Sequence, residues 1–286
     1  MKVSVCMITY NHEKFITQAI ESVLMQNTDF DYELVIGEDC STDRTREIVK
    51  QYAEKYPDRI KTLLHPENLG MQTNFTETLK ACNGEYIALL EGDDYWTDPL
   101  KLQKQVDFLE NNLDYFLCIH PCEFLIHKNN GSIIKNKQNI NLIKYEYTVK
   151  NLLTNWAIPT ASIVYRRNKK LILPDWFHEV ASGDIALMML HYKFGKIKLI
   201  EDYMSVYRIS GKGVSGTHKG YEMIKYRTLL YYKLNEYYKN EYQKEIFDAL
   251  HNIYISFSDF NKENHSKSGT NLFKSILMKI YRRIKS

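Results

Sequence analysis

Three carboxylates lie within four consecutive positions of the sequence, at Glu91, Asp93 and Asp94. Unpaired carboxylates this close to one another repel, so the arrangement needs a cation or an exposed surface. Hard oxygen ligands of this kind suit Mg²⁺ or Mn²⁺, with phosphate oxygens completing the coordination shell. The spacing therefore predicts either a divalent-cation site or an acidic surface turn that precedes the next helix.

The residues around this acidic segment predict how it is positioned. The apolar run from Tyr86 to Leu90 has turn residues at both ends and the length of a buried strand. Gly92 then lets the backbone turn tightly between the carboxylates. The three acids are therefore expected at the carboxyl end of a strand.

Strand patterns and helix patterns alternate along the first part of the chain. Amphipathic helical stripes separate apolar, strand-like runs at 3–9, 32–36, 60–64 and 86–90. This alternation predicts an α/β fold with a mostly parallel sheet flanked by helices. Ligands in such sheets bind beyond the carboxyl ends of the strands. The polar segments that share this position are Thr9-Tyr10-Asn11, Glu38-Asp39 and Glu91 with Asp93-Asp94.

Composition and missing motifs disfavour several kinds of ligand. The net charge of +3 gives no indication of a nucleic-acid partner, and the five cysteines lack a metal-site spacing. No Gly-x-Gly-x-x-Gly follows the first strand and no Gly-Lys-Ser/Thr occurs, which disfavours a dinucleotide or P-loop site. The sequence begins as a strand and has no apolar run of membrane-spanning length, so we expect a reduced, cytoplasmic protein.

Five segments carry a resemblance to a known family. They are Val3-Ser4-Val5-Cys6-Met7-Ile8-Thr9-Tyr10-Asn11, Ala19-Ile20-Glu21-Ser22-Val23-Leu24 with Gln26, Glu38-Asp39 with Ser41-Thr42-Asp43 and Thr45, Asn68-Leu69-Gly70, and Gly84-Glu85-Tyr86-Ile87-Ala88-Leu89-Leu90-Glu91-Gly92-Asp93-Asp94. In order and spacing they resemble the family 2 glycosyltransferases. The resemblance implies the GT-A fold, a nucleotide-sugar-binding α/β domain. We expect this domain over residues 1–216 and a helical C-terminal extension over 217–286.

The resemblance implies donor-binding roles for several of these residues. Thr9 and Tyr10 match residues that line the nucleotide, and Tyr10 is expected to stack on the base. Asp39 matches the carboxylate that accepts a hydrogen bond from a uracil-type ring N–H, whereas its position alone also suits a helix-start acid beside the dipole. The other members of the expected donor-binding set in these loops are Asn11, Asn68 and Gly70.

The acidic segment and a later loop receive further roles from the resemblance. Asp93 and Asp94 match the carboxylates that bind the metal and the ribose-diphosphate part of the donor. Glu91 stands where many relatives have the first Asp of an Asp-x-Asp. Arg208 lies in the glycine-rich stretch 207–216, which resembles a segment that closes over the diphosphate.

Asp184 begins a predicted apolar helix that runs to His191. Its position alone makes it a first-turn acid that complements the helix dipole, whereas the resemblance implies that it is the catalytic base. Relatives often have Glu-Asp where this chain has Gly183-Asp184. Many relatives also have an Arg in the segment after Asn68-Leu69-Gly70, where this chain has Met71-Gln72-Thr73-Asn74-Phe75, so base specificity stays open.

Several later features keep two interpretations. His120 is either a side chain that faces the site or a buried, hydrogen-bonded core residue, and Trp156 is either an acceptor contact or a core residue. Residues 196–201 and 204–209 are interpreted as edge strands. The apolar stripe with basic residues at 271–285 predicts either an amphipathic helix on an anionic membrane surface or a terminal helix packed on its own domain.

The combined expectation is an inverting transfer of a sugar from a nucleotide-diphosphate donor, with a UDP-sugar first, to an acceptor hydroxyl. Mn²⁺ or Mg²⁺ is the expected cofactor, and a glycan or lipid-linked glycan is the expected acceptor. The expected setting is bacterial surface polysaccharide, lipopolysaccharide or capsule assembly at the inner face of the cytoplasmic membrane. The alternatives are an inactive nucleotide-sugar-binding module and a nucleotidyltransferase, although the Gly-rich phosphate loop typical of the latter is absent.

Overall fold

The computed structural model describes residues 1–127, 131–140, 147–154, 158–169, 171–209 and 221–263. Three predicted features lie wholly or largely outside these residues. They are Trp156, the glycine-rich stretch beyond Ile209, and the basic amphipathic segment 271–285.

The secondary structure follows the predicted alternation of strands and helices. The described strands are β1 (Val3–Thr9), β2 (Tyr32–Glu38), β3 (Ile60–Leu64), β4 (Tyr86–Glu91), β5 (Tyr95–Trp96), β6 (Tyr115–Ile119), β7 (Cys122–His127), β8 (Ile133–Lys137), β9 (Val164–Arg166), β10 (Lys196–Leu199) and β11 (Ser205–Ile209). The described α-helices are α1 (Ile16–Leu24), α2 (Thr45–Lys55), α3 (Met71–Ala81), α4 (Lys101–Asn111), α5 (Val149–Thr154), α6 (Gly183–Tyr192), α7 (Tyr221–Tyr237) and α8 (Gln243–Glu263). Short 3₁₀ helices cover Thr160–Ser162 and Asp175–Glu179.

A seven-stranded sheet lies at the centre, with the order β10-β6-β9-β4-β1-β2-β3. β1 pairs in parallel with both β2 and β4, and β10 pairs in parallel with β6, whereas β9 runs antiparallel between β4 and β6. The predicted α/β class with a mostly parallel sheet is confirmed. Thr9 is paired with Glu38, and Ile8 with Glu91, so the carboxyl ends of three neighbouring strands lie side by side.

A second sheet of four strands, ordered β5-β11-β7-β8, lies beside the first. The interpretation of 204–209 as an edge strand is wrong, because β11 lies between antiparallel β5 and parallel β7. Arg208 is compatible with an interior strand because the rings of Phe15 and Tyr95 cover its guanidinium group. β10, by contrast, does form an edge of the seven-stranded sheet.

Helices pack on both faces of the central sheet. Alternate residues of a strand point to opposite faces, so Val5 and Met7 pack on one side and Cys6 on the other. The face with Val5 and Met7 contacts α1, α2 and α4. The face with Cys6 is covered by α3, α5, α6, α7 and α8. This arrangement buries the strands and leaves their carboxyl ends as an open edge for polar residues.

The C-terminal helices α7 and α8 share the core of α6. Leu234 on α7 and Leu250 on α8 are buried in it, and the Tyr238 hydroxyl donates a hydrogen bond to the Met189 carbonyl of α6. The expected domain boundary at 216/217 falls outside the described residues. In the part of the chain that is described, no helix combines the length and the apolar character needed to span a bilayer.

Candidate active site

The acidic segment at the end of β4 forms a compact cluster of oxygen ligands. Each of Glu91, Asp93 and Asp94 offers a carboxylate oxygen, and these oxygens lie within 4.8 Å of one another. The backbone N–H of Gly92 donates to the Ile8 carbonyl at 2.9 Å, which fixes the segment to the end of β1. A Cβ atom at position 92 would lie 2.5 Å from Thr9 Oγ1, so this close approach requires glycine.

Asp94 is the most buried member of the cluster, with 1% of its surface exposed. Its Oδ1 accepts a 2.7 Å hydrogen bond from the Arg208 backbone N–H, whereas its Oδ2 is buried without a hydrogen-bond partner among the described residues. Burial raises the pKa of Asp94 well above its usual range, and the charges of Asp93 and Glu91 raise it further. A buried carboxylate oxygen without a donor fits a bound cation, because buried polar atoms are normally satisfied.

Arg208 holds this acidic segment in place through its backbone and its side chain. Its guanidinium group donates hydrogen bonds to the Asp93 carbonyl and to the Gln18 side chain. It also lies over the rings of Phe15 and Tyr95, at 4.9 and 4.5 Å from their centroids. The sequence predicted a diphosphate contact for Arg208. The structure shows contacts that position the metal-ligand candidates, and the diphosphate contact stays a prediction.

Asp39 organises the loop at the end of β2. Its two carboxylate oxygens accept hydrogen bonds from the backbone N–H groups of Leu69 and Gly70, at 2.7 and 3.0 Å. The Asn68 side-chain amide donates to the Asp39 carbonyl at 3.0 Å. The interpretation of Asp39 as a helix-start acid is wrong, because α2 begins only at Thr45. The structure thus brings together Asp39, Asn68 and Gly70, three members of the expected donor-binding set.

The end of β1 lies beside this loop. The Thr9 carbonyl accepts a 3.1 Å hydrogen bond from the Asp39 N–H, which joins the ends of β1 and β2. Asn11 Oδ1 accepts a 2.8 Å hydrogen bond from the Thr42 N–H, so its side chain connects two loops. Tyr10 is 42% exposed, and its ring is accessible to a ligand.

His12 belongs to this site but was not predicted from the sequence. Its Nε2 lies 3.8 Å from Asp93 Oδ2, and its Nδ1 lies 3.2 Å from Thr9 Oγ1. The signal that indicates it is its place directly after Thr9-Tyr10-Asn11 at the carboxyl end of β1. His120, in contrast, is buried with its Nδ1 3.0 Å from the Pro121 carbonyl, so the interpretation as a core residue is confirmed.

Asp184 lies in the first turn of α6. Burial raises the pKa of Asp184 to about 7, although the backbone N–H groups of Ile185 and Asp184 and the charge of Arg227 oppose the rise. Burial also raises the pKa of Glu91 to about 8, and the charges of Asp93 and Asp184 add to that rise. Asp184 and Glu91 therefore lie close enough for their charges to interact. A poorly hydrated carboxylate with a pKa near neutrality is suited to accept a proton.

Comparison with known proteins shows which family this chain matches. A model described as "Glycosyl transferase family 2" matches residues 4–171, more than half of the 286-residue chain. The chain is 36% identical over 218 residues to Uncharacterized protein Rv1520 of Mycobacterium tuberculosis. The aligned residues cover 74% of this chain and 60% of that protein. The chain thus spans less than two thirds of the length of this relative. It is 30% identical over 218 residues to UDP-Glc:alpha-D-GlcNAc-diphosphoundecaprenol beta-1,3-glucosyltransferase WfgD of Escherichia coli, covering 74% of this chain and 79% of WfgD.

Among solved structures, S. aureus TarS 1-349 in complex with UDP-GlcNAc matches with a TM-score of 0.67. The two chains are 21% identical, and the match covers 94% of this chain and 77% of that one. This likeness shows a shared GT-A fold, as the sequence predicted. Because the family model spans more than half of the chain, the protein belongs to glycosyl transferase family 2.

Proposed function

We propose that the protein transfers a sugar from a UDP-sugar to an acceptor hydroxyl with inversion, in a reaction that requires Mn²⁺ or Mg²⁺. The observation that carries this proposal is the set of three carboxylate oxygens within 4.8 Å, at the same sheet edge as the Asp39 loop. The charge of Asp184 acts on Glu91, one member of this cluster. A UDP-sugar donor is supported by the UDP-GlcNAc complex of TarS and by the UDP-Glc named for WfgD.

The residues that would hold the cation are Asp94 and Asp93, with Glu91 as a third oxygen ligand. They fit a hard divalent cation, because their oxygens are close together and Asp94 Oδ2 lacks a donor among the described residues. A bound cation neutralises the charge that develops on the leaving diphosphate. The residues of the chain supply the frame for it: Arg208 fixes both the Asp93 backbone and the Asp94 carboxylate.

The nucleotide would lie over the ends of β1 and β2. Each carboxylate oxygen of Asp39 accepts one backbone N–H, and such an oxygen has a second acceptor site. Asp39 can therefore also accept a hydrogen bond from the N–H of a uracil ring. Thr9 and Tyr10 would line the nucleotide, with the exposed Tyr10 ring stacked on the base. Asn68 and Gly70 would hold Asp39 in this position through their hydrogen bonds to it.

Asp184 would act as the general base of the transfer. Its carboxylate takes the proton from the acceptor hydroxyl while the hydroxyl oxygen attacks the anomeric carbon from the face opposite UDP. The bond from the anomeric carbon to the diphosphate oxygen breaks, and UDP leaves with the electron pair. Attack from the opposite face inverts the anomeric configuration. Arg227 and the N–H groups at the start of α6 favour the ionised form of Asp184 that this step needs.

We further propose that the acceptor is a glycan or a lipid-linked glycan of bacterial surface polysaccharide assembly. The name of WfgD includes a diphosphoundecaprenol-linked acceptor, which supports this class of acceptor. Contact of residues 271–285 with the inner face of the cytoplasmic membrane is part of the same proposal. Its sequence support is the basic and apolar pattern of that segment.

A screen of nucleotide sugars tests the proposed function. UDP-glucose, UDP-GlcNAc and GDP-mannose are each added with Mn²⁺ or with EDTA, and thermal unfolding and UDP or GDP release are measured. We expect a UDP-sugar to stabilise the protein only with Mn²⁺ and to release UDP. Binding without UDP release, with or without acceptors, would favour an inactive binding module. Pyrophosphate release from UTP would favour a nucleotidyltransferase.

Replacement of Tyr10 tests the proposed nucleotide position. Tyr10→Ala should weaken the affinity for UDP with Mn²⁺ about tenfold, because stacking of a base on an aromatic ring is worth roughly 1–3 kcal/mol. Tyr10→Phe keeps the ring and should bind UDP as the wild type does. The melting temperature should not change in either variant, because Tyr10 is 42% exposed. Equal UDP affinity in Tyr10→Ala, measured by calorimetry, would place the base elsewhere.

The pH dependence of turnover tests the base. Asp184 must be ionised to accept a proton, and its pKa is raised to about 7. Turnover should therefore rise with pH through neutrality and level off above it. Bound Mn²⁺ would reduce the negative charge around Asp184, so the rise should occur somewhat below the pKa of about 7. Arg227→Gln should move the rise to higher pH, because Arg227 favours the ionised form. A rate of UDP release that does not vary from about pH 5 to about pH 9 would contradict Asp184 as the base.

A further inference from the structure

Gln72 connects the first turn of α3 to the segment that begins α6. Its Nε2 donates a 3.2 Å hydrogen bond to the Ala181 carbonyl. A Cβ atom at position 183 would lie 2.5 Å from Gln72 Oε1, so the carboxamide occupies the space beside Gly183 that a side chain would need. Gln72 therefore contacts the backbone directly before Asp184.

Gln72 also lies close to the loop Asn68-Leu69-Gly70, which we call the donor loop. α3 begins directly after Asn68-Leu69-Gly70, and the Gly70 N–H donates to Asp39 Oδ2 at 3.0 Å. The Gly70 carbonyl accepts the Asn74 N–H at 3.0 Å, which joins the loop to the helix. Gln72 therefore lies two residues after Gly70, whose backbone N–H is bonded to Asp39.

A second contact joins α3 to the segment before α6. The ring of Phe75, one turn after Gln72, stacks on Phe177 with 6.1 Å between centroids. Phe177 lies in the 3₁₀ helix Asp175–Glu179, just before Ala181. α3 therefore contacts this segment through Phe75 as well as through Gln72, and Gln72 lies beside Gly183, the residue before Asp184.

We propose that Gln72 is a positioning residue that fixes the position of Asp184 relative to the donor loop. This inference rests on the proposed function, because it takes Asp184 as the base. Glutamine suits the task because it donates to the Ala181 carbonyl without adding charge near Asp184. A glutamate of the same length would lose that donor and add a negative charge to a site that already raises the pKa of two carboxylates.

Release of UDP from the UDP-sugar that best stabilises the protein with Mn²⁺, with water as acceptor, tests the proposal. Gln72→Ala should lower kcat about tenfold or more, because a misplacement of about 1 Å can cost about 10²-fold. The KM for the donor and the stabilisation by UDP with Mn²⁺ should stay within about twofold, because the residues that bind Asp39 are unchanged. Gln72→Glu should lower kcat more than Gln72→Ala does.

Gly183→Ala provides an independent variant, because its Cβ displaces the Gln72 carboxamide and breaks the same contact. The double variant Gln72→Ala with Gly183→Ala should therefore lose no more turnover than the more impaired single variant. Lys80→Ala, at an exposed position near the end of α3, is the matched control and should keep wild-type turnover.

The outcomes separate this inference from the proposed function. Wild-type kcat in Gln72→Ala together with an inactive Asp184→Asn would overturn the positioning role and leave the base role intact. Losses in the double variant that multiply would also overturn it, because the two changes would then act through different contacts. Wild-type turnover in Asp184→Asn would refute the base role itself, and the positioning role with it.

Discussion

Asp94→Asn should abolish sugar transfer and at the same time make the metal-free protein more stable. The carboxamide keeps the shape of the side chain, and its Oδ1 still accepts the Arg208 N–H that the carboxylate accepts at 2.7 Å. The change removes a buried carboxyl group whose pKa is raised by burial and by the charges of Asp93 and Glu91. It therefore relieves repulsion in the folded state, but it also removes the ligand charge that a cation needs. We expect a loss of about 10³-fold or more in UDP release, and a higher melting temperature in EDTA.

Asp98→Asn is the matched control for this change. Asp98 lies four residues further along, and its carboxylate pairs with Lys104 at 2.8 Å and accepts the Leu100 N–H at 2.8 Å. Its replacement should leave the rate near that of the wild type and should not raise the melting temperature. Wild-type turnover in Asp94→Asn would contradict the metal site. An inactive Asp94→Asn protein with a lower melting temperature would show a structural role instead.

Asp184→Asn should lower kcat about 10²- to 10⁴-fold, which is the usual contribution of a general base. Asparagine matches aspartate in shape, so α6 should begin as in the wild type, but the amide cannot accept the acceptor proton. The affinity for UDP with Mn²⁺ should stay within about twofold, because the Asp39 loop and the acidic cluster keep their residues. UDP release and calorimetric UDP binding measure the two effects separately.

Asp175→Asn is a suitable control for Asp184→Asn, because Asp175 is an exposed acid in the 3₁₀ helix before α6. It should show wild-type turnover and binding. If Asp184→Asn lost UDP binding as much as turnover, Asp184 would belong to the donor site and another group would have to serve as the base.

The sequence predicted those parts of the site that depend on local patterns and on the geometry of parallel sheets. β1, β2 and β4 are apolar runs followed by polar residues, and the carboxyl ends of neighbouring parallel strands meet at one edge. This rule is enough to bring Thr9, Asp39 and the acidic segment together. Asp184 was recognised through its place at a helix start and through the family resemblance.

Contacts between distant segments could not be predicted in this way. β5 is only two residues long, and its pairing with β11 joins Trp96 to Ser205, so no local pattern indicates the second sheet. The position of Arg208 beside the acidic segment depends on that sheet and on the rings of Phe15, directly before α1, and Tyr95 in β5. The contact of Gln72 with Ala181 likewise joins residues 109 positions apart. Such contacts follow from tertiary packing, which single-sequence patterns do not specify.

Titration of Mn²⁺ into the wild-type protein, with and without UDP, tests the metal-dependent donor site most directly. Electron paramagnetic resonance distinguishes free from bound Mn²⁺, and Asp94→Asn serves as the comparison. We expect one Mn²⁺ to bind per chain tightly only with UDP, and Asp94→Asn to lose this binding. UDP binding of equal affinity in Mn²⁺ and in EDTA, or equal Mn²⁺ binding by Asp94→Asn, would contradict a cation held by the acidic cluster against the donor.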